Sequence, residues 1–314
     1  MIIIESIEEM QKYSIQLKCK GKTLANVSTT GFLHKGHMSL VDIAKENADE
    51  VVVNIDHIDP YKKFKQDPHK YDEYLEEYRT EQLDKDLELC EKHGVNIFFH
   101  PDIHKVYVSQ PNQIHSNIKK IRKKYNGIQF VSPNISKSNL KDFNMMMPDI
   151  IMMGQKDFFQ NLEAQYMLTD FNYPIKMIMA PIVRESDGLA SSSRLKSLTD
   201  SERKGARSIY QSLKEIEEWT SYSSIRGIKE HIRNTIVRAN GSINYIMVCC
   251  ASTLEELRYI DRKAVVVIEA LFGNIPLSDN IIIEPKDIKN ETINSKQKVP
   301  VWDGPYRKKP GEYS

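Results

Sequence analysis

An excess of either charge is the first thing this sequence lacks. Lys and Arg number 44 and Asp and Glu 43, a net charge of +1 over 314 residues. So balanced a chain has no global field to draw it onto nucleic acid or a membrane surface, and neither is expected as a partner. A local anion site is still allowed. Long apolar runs are missing too: none approaches the ~20 residues needed to span a bilayer. The first twelve residues include Glu5, Glu8 and Glu9 and no cationic stretch, so no signal peptide is expected. Four cysteines, Cys19, Cys90, Cys249 and Cys250, match no metal-site spacing, and adjacent cysteines rarely pair with each other. Cysteine usage therefore predicts a reducing compartment, the cytoplasm, and no disulfide framework.

What the sequence does have is an alternation of apolar runs and helical patterns, long enough for two domains. Ile2-Ile3-Ile4 is expected as a first buried segment, and Ser6-x-x-Glu9 as a capping box opening a short helix. Residues 24–27 and the β-branched run 51–55 are expected strands, the latter buried within a parallel sheet. Between them, after a turn at Gly31, Met38, Leu40, Val41, Ile43 and Ala44 recur at helical spacing. Residues 71–93 are expected to be helical in one or two pieces, with Gly94 as the C-cap. Further strands are expected at 95–99, 149–153 and 175–183, with Pro174 and Pro181 at strand edges. Residues 119–144 show no readable pattern. Strands alternating with helices predict an α/β fold with a doubly wound parallel sheet. Beyond it, Thr199-x-x-Glu202 opens a helix, 243–248 and 264–270 are strand patterns, and Gly273 and Pro276 mark turns. These predict a smaller α+β domain over 187–284, after a first domain over 1–186. A polar tail over 285–314 is expected to be loose or draped on the body.

Three segments carry chemistry. The run Thr29-Thr30-Gly31-Phe32-Leu33-His34-Lys35-Gly36-His37 joins an expected strand to an expected helix. In open parallel sheets ligands bind beyond strand C-termini, where helix N-termini present free N–H groups. Two imidazoles there can donate to phosphate oxygens, and Gly36 lets a ligand approach the backbone. Second, Gly154-Gln155-Lys156-Asp157-Phe158-Phe159-Gln160 follows another strand and offers Lys156 as a point cation. An ordinary strand–turn–helix with a solvated lysine fits that segment equally well. Third, Arg184-Glu185-Ser186-Asp187-Gly188-Leu189-Ala190-Ser191-Ser192-Ser193-Arg194 supplies hydroxyl and guanidinium donors suited to a triphosphate. A flexible Ser-rich linker has the same composition.

As a set these motifs, with Tyr78-Arg79-Thr80, Gly94-Val95, Pro148-Asp149 and Asp279-Asn280, resemble the pantothenate synthetase (pantoate–β-alanine ligase) family of the H-I-G-H nucleotidyltransferases. The resemblance runs from Met1 to about Ile283. It implies a Rossmann-like ATP- and acid-binding domain, a C-terminal lid domain and a homodimer. It also implies acyl-adenylate chemistry: ATP and a small carboxylic acid give an acyl-adenylate and pyrophosphate, and an amine then gives an amide and AMP. ATP and Mg²⁺ are the implied cofactors. The resemblance places His34 and His37 on ATP phosphates and Lys156, Ser192 and Arg194 on the charge moving to pyrophosphate. Thr29, Gly31, Gly36, Gly154, Val183 and Ser193 would line the nucleotide, Asp157 would bind its nucleoside side, and Gln160 the acid.

Departures from the family cluster on the acid side. Ser28-Thr29-Thr30-Gly31 stands for the family's Pro-Thr-Met-Gly, so Thr30 replaces a methionine near the acid. Residues 56–64, Asp-His-Ile-Asp-Pro-Tyr-Lys-Lys-Phe, replace Phe-Val-Asn-Pro-x-Gln-Phe, with Lys62 or Lys63 where a glutamine holds pantoate hydroxyls. The Arg-Pro-x-His-Phe-x-Gly segment is absent, with 125–138 in its place. Gln155 replaces a glutamate, Leu195 an asparagine, and Ser191 a usually apolar neighbour of the acid. A buried charge without a partner is costly. These changes therefore predict a small acid other than pantoate that carries a matching charge or extra polar groups, such as an amino acid or a phosphorylated acid. A drifted pantothenate synthetase is the alternative, so the substrates are read as pantoate or a related polar acid with β-alanine or another amine. Asp56, His57 and Asp59 suit a metal, Mg²⁺ or, with His34, zinc; polar residues at a strand end explain them as well. Two rivals remain: a nucleotidyltransferase acting on a phosphorylated small molecule, and a nucleotide-binding homologue without catalysis. The Ser192-Ser193-Arg194 loop with Lys156 disfavours the first, and the intact phosphate contacts disfavour the second.

Overall fold

The computed structural model describes residues 1–55, 76–106, 133–217 and 224–284. The chain divides into two compact units, Met1–Ala180 and Pro181–Ser314.

The first unit is a six-stranded, wholly parallel sheet in the order β1-β4-β3-β2-β5-β6. Its strands are β1 (Ile2–Ile4), β2 (Leu24–Thr29), β3 (Glu50–Ile55), β4 (Ile97–Phe99), β5 (Ile150–Gly154) and β6 (Lys176–Ala180). The longer helices are α1 (Ile7–Cys19), α2 (Lys35–Asn47), α3 (Leu83–Lys92), α4 (Pro133–Met146) and α5 (Phe158–Asp170). A π-helical turn, Tyr78–Gln82, leads into α3. Val51, Val52 and Val53 of β3 are wholly buried, as expected of a strand covered on both faces. Ser6 caps α1 by accepting the Glu9 amide, and Gly94 leaves α3 at φ 69°. From β2 the chain winds one way to β3 and β4, and from β5 it winds the other way to β6. The C-termini of β2 and β5, paired at Val27↔Met152, therefore flank the point where strand order reverses. Open parallel sheets bind ligands at that crevice.

The expected doubly wound α/β sheet is thus present, with local corrections. Ile2–Ile4 is not a buried segment: β1 is an edge strand, and Ile3 is 54% exposed while Ile4 is 2% exposed. Only its inward face has a core to meet. The strand expected over 175–183 ends at Ala180, before Pro181.

The second unit packs α6 (Asp200–Glu217) and α7 (Ile225–Arg238) on an antiparallel sheet β7-β8-β9. These strands are Ser242–Cys250, Ala264–Phe272 and Ile275–Ile283. Ile209 and Leu213 of α6 and Ile228, Ile232 and Ile236 of α7 join Val266 and Ile268 of β8 in one core. Thr199 and Glu202 form the expected cap. Sequence patterning missed α7 and β9. Pro276, expected in a turn, sits near the start of β9, an edge strand that tolerates a missing N–H. The tail over 285–314 lies outside the described residues. Among the described residues no helix is long and apolar enough to cross a membrane.

Candidate active site

At the end of β2 the chain turns through two residues of positive φ, Gly31 (80°) and Phe32 (54°), before α2 begins. His34 is the N-cap. Its Nδ1 accepts the Gly36 amide at 3.1 Å, while the His34 amide donates to His37 Nδ1 at 3.3 Å. The two rings stack with centroids 4.0 Å apart. Because each Nδ1 accepts a backbone hydrogen, the proton of each neutral ring sits on Nε2. The two histidines thus cap the helix with one nitrogen each, and each carries its hydrogen on Nε2. Burial, and then the neighbouring His34 and Lys156, push the His37 pKa from 6.5 down to about 3. His37 is therefore a neutral donor at pH 7.

The influence of Lys156 on His37 brings the second predicted segment to the first. Lys156 lies in a 3-10 turn, Gln155–Asp157, between β5 and α5. Gly154 begins that turn at φ −80°, and a Cβ there would meet nothing within 4 Å. Among the described residues no atom demands this glycine. Asn161 Nδ2 holds the Gly154 carbonyl at 2.9 Å. Asp157 is exposed and Gln160 half-buried, both at the start of α5. Thr29 is buried, its hydroxyl donating to Asn54 O and accepting the Gly31 amide, and Thr30 is exposed. Residues 29–37 and 154–160 thus occupy adjacent strand ends. Among the described residues no three His, Cys, Asp or Glu side chains gather as a metal site.

The serine-rich segment is folded into the second unit, where it is no loose linker. Arg184 makes a two-pronged ion pair with Asp279 (2.6 and 3.2 Å), donates to Gly188 O and lies 4.0 Å over the Tyr210 ring. Asp187 accepts from Arg203 at 2.8 Å. Arg184 and Asp187 of that motif are therefore fasteners. Between them they leave Val183 half-buried, and Ser193 and Arg194 exposed. Ser192 caps the turn Ser193–Ser197, and Arg194 reaches Pro276 O. Lys62, Lys63, Asp56, His57, Asp59 and Tyr125 lie outside the described residues.

Residues 2–282 match the family described as pantoate-beta-alanine ligase. The chain belongs to this family. It is 35% identical over 295 residues to a pantothenate synthetase of Thermoanaerobacter sp. (strain X514), covering 90% of this chain and 98% of that protein. It is 36% identical to that of Thermotoga neapolitana, covering 90% and 100%. The fold superposes on the crystal structure of pantothenate synthetase from Thermus thermophilus with a TM-score of 0.73 at 22% identity, covering 91% and 100%. A pantoate-beta-alanine ligase of Francisella tularensis, complexed with beta-gamma ATP and beta-alanine, superposes at 0.64 with 25% identity, covering 90% and 97%. As a member of the family, the chain is an ATP-dependent carboxylate–amine ligase.

Two polar groups near the ligase's strand ends escaped the sequence reading. Asp86 of α3 is buried and accepts the Leu33 amide beside His34. Asp142 of α4 is buried and accepts from Ser28 (2.7 Å) and Asn54 (3.3 Å). Each lies in a polar stretch of sequence, and nothing local marks it as the residue turned inward.

Proposed function

We propose that the β2–β5 crevice adenylates pantoate, or a closely related polar acid, and that the acyl group passes to β-alanine or a similar small amine. A carboxylate oxygen attacks the α-phosphorus of ATP, the bond to the bridging oxygen breaks, and pyrophosphate leaves. The amine nitrogen then attacks the acyl carbon, AMP leaves with the bonding electrons, and the nitrogen gives up a proton to solvent. Displacement at phosphorus needs alignment and preorganised positive charge more than covalent help. His34 and His37 donate Nε2–H to phosphate oxygens, and Lys156 supplies the cation. Thr29, Gly31, Gly36, Gly154, Asp157 and Val183 line the nucleotide. Ser192, Ser193 and Arg194 add donors to the departing pyrophosphate, while Thr30, Lys62, Lys63 and Gln160 meet the acid. Mg²⁺ accompanies the triphosphate, whose oxygens supply much of its coordination. We also propose a homodimer working in the cytoplasm.

One observation carries this proposal: the histidine pair is held by its own helix cap as two Nε2–H donors, under the influence of Lys156. Pyrophosphate release, measured across pantoate, amino acids and phosphorylated acids with and without β-alanine, tests it. Release with pantoate and amide formation with β-alanine is the expected result. A protein that releases pyrophosphate with another acid and never with pantoate overturns the substrate.

A further inference from the structure

The loop carrying His34 is built on a strained backbone. Phe32 holds φ 54°, a region that non-glycine side chains rarely adopt. Such a conformation persists only where the surroundings over-determine it. Thr29 holds the Gly31 amide on one side of Phe32, and a buried carboxylate holds the Leu33 amide on the other. Asp86, 1% exposed, accepts the Leu33 amide on Oδ1 at 2.9 Å and Gln82 Nε2 on the same atom at 2.8 Å. Its Oδ2 accepts the Tyr78 hydroxyl at 2.9 Å. The Tyr78 ring in turn fills the space beside Gly31 and lies 5.7 Å from the Phe32 ring. Asp86 thus holds the Leu33 amide directly and, through Tyr78, the ring that packs beside Gly31 and Phe32.

The π-helical turn explains how three side chains reach that point. Tyr78, Gln82 and Asp86 are spaced by four. Eight residues of continuous α-helix would carry Asp86 roughly 80° off the line of Tyr78. The wider turn over Tyr78–Gln82 takes up that drift, so that both donors meet the Asp86 carboxylate.

We infer that Asp86 is a positioning residue for the histidine pair. By holding the Leu33 amide it fixes the loop that delivers the next amide, that of His34, to His37 Nδ1. Its effect on the reaction is indirect: it keeps the His37 proton on Nε2 and the ring aligned. Among the described residues, the groups that bear on the protonation of His37 are His34, from the same helix start, and Lys156, from the β5–α5 turn. The kinetic half of this inference rests on the adenylation proposed above. The tautomer half does not.

The test is Asp86→Asn in the full chain, which keeps the shape but loses one acceptor atom. Histidine ¹⁵N NMR on the unliganded protein at pH 7 should show His37 as the Nε2–H tautomer in the wild type. In the variant it should show a mixture of tautomers. Adenylation kcat should fall about tenfold or more, with KM for ATP changing less than about threefold, since small misplacement costs rate more than binding. Tyr78→Phe removes one donor and leaves the Leu33 bond. It should shift both readouts less, and it carries the test if Asp86→Asn does not fold. A folded Asp86→Asn with wild-type His37 shifts, or with kcat within about twofold of wild type, overturns the inference. So does a Tyr78→Phe protein unchanged in both, where it stands in. If the wild type releases no pyrophosphate with any acid, the adenylation proposal fails and the tautomer comparison alone decides this one.

Discussion

Arg184 and Asp279 stand 95 residues apart in the chain and 2.6 Å apart in the fold. The pair ties the start of the serine-rich segment to the last strand of the second unit, and Tyr210 closes over the guanidinium. Asp279 is 3% exposed, so removing its charge takes the two-pronged carboxylate partner from Arg184 in a site that water scarcely reaches. Asp279→Ala should destabilise the second unit by ~3 kcal/mol, the low end for a broken buried pair because Arg184 keeps some solvent contact. Urea unfolding followed by circular dichroism measures it. A loss within ~0.5 kcal/mol would mean the pair is not a fastener.

Two glycines near the site should respond in opposite ways. A Cβ on Gly31 would stand 2.5 Å from Tyr78 Cε2, at φ 80°. Gly31→Ala should therefore cost stability, ~1–3 kcal/mol from backbone strain alone. Gly154→Ala meets open space at an ordinary φ, so its unfolding midpoint should stay near wild type while KM for ATP rises. A Gly154→Ala protein with unchanged KM would remove that residue from the nucleotide site.

Lys156→Ala should lower pyrophosphate release by ~10²–10³, as for other preorganised donors to developing charge. Because Lys156 also helps keep His37 neutral, the variant should raise the His37 pKa. Near-native release would take Lys156 out of the mechanism.

The depressed His37 pKa links folding to pH. Unfolded, the ring takes up a proton near pH 6.5; folded, it resists to about pH 3. Between those values the unfolded state binds more protons, so stability is full above pH 6.5 and falls as pH drops toward 3. His100, whose pKa is lowered chiefly by burial and then by Arg79, adds in the same direction. Melting temperatures from pH 7 to 4 should decline less steeply in His37→Asn than in the wild type. Parallel curves would contradict the assigned pKa.

The parallel sheet was legible because Val51–Val53 and the helix after Gly31 carry periodicities that burial enforces whatever the neighbours are. The histidine run and the Lys156 segment were legible too, since strand–turn–helix junctions place their residues at a strand end from local sequence alone. Asp86 was not: it stands in Leu83-Asp84-Lys85-Asp86-Leu87-Glu88, and its inward turn depends on a wide helical turn and on Tyr78. Nor was the fastening role of Arg184 and Asp187, whose partners lie on β9 and α6.

By itself the sequence determined which chemical groups the ligase owns and at which strand ends they lie, because hydrophobic period and turn residues act over a few positions. Only the tertiary structure decided their state. It set the nitrogen on which each imidazole keeps its proton, the carboxylate that is buried, and the arginine of the serine-rich motif that serves as a fastener. Those outcomes depend on desolvation and on hydrogen bonds between segments distant in the chain, and the order of residues does not display either.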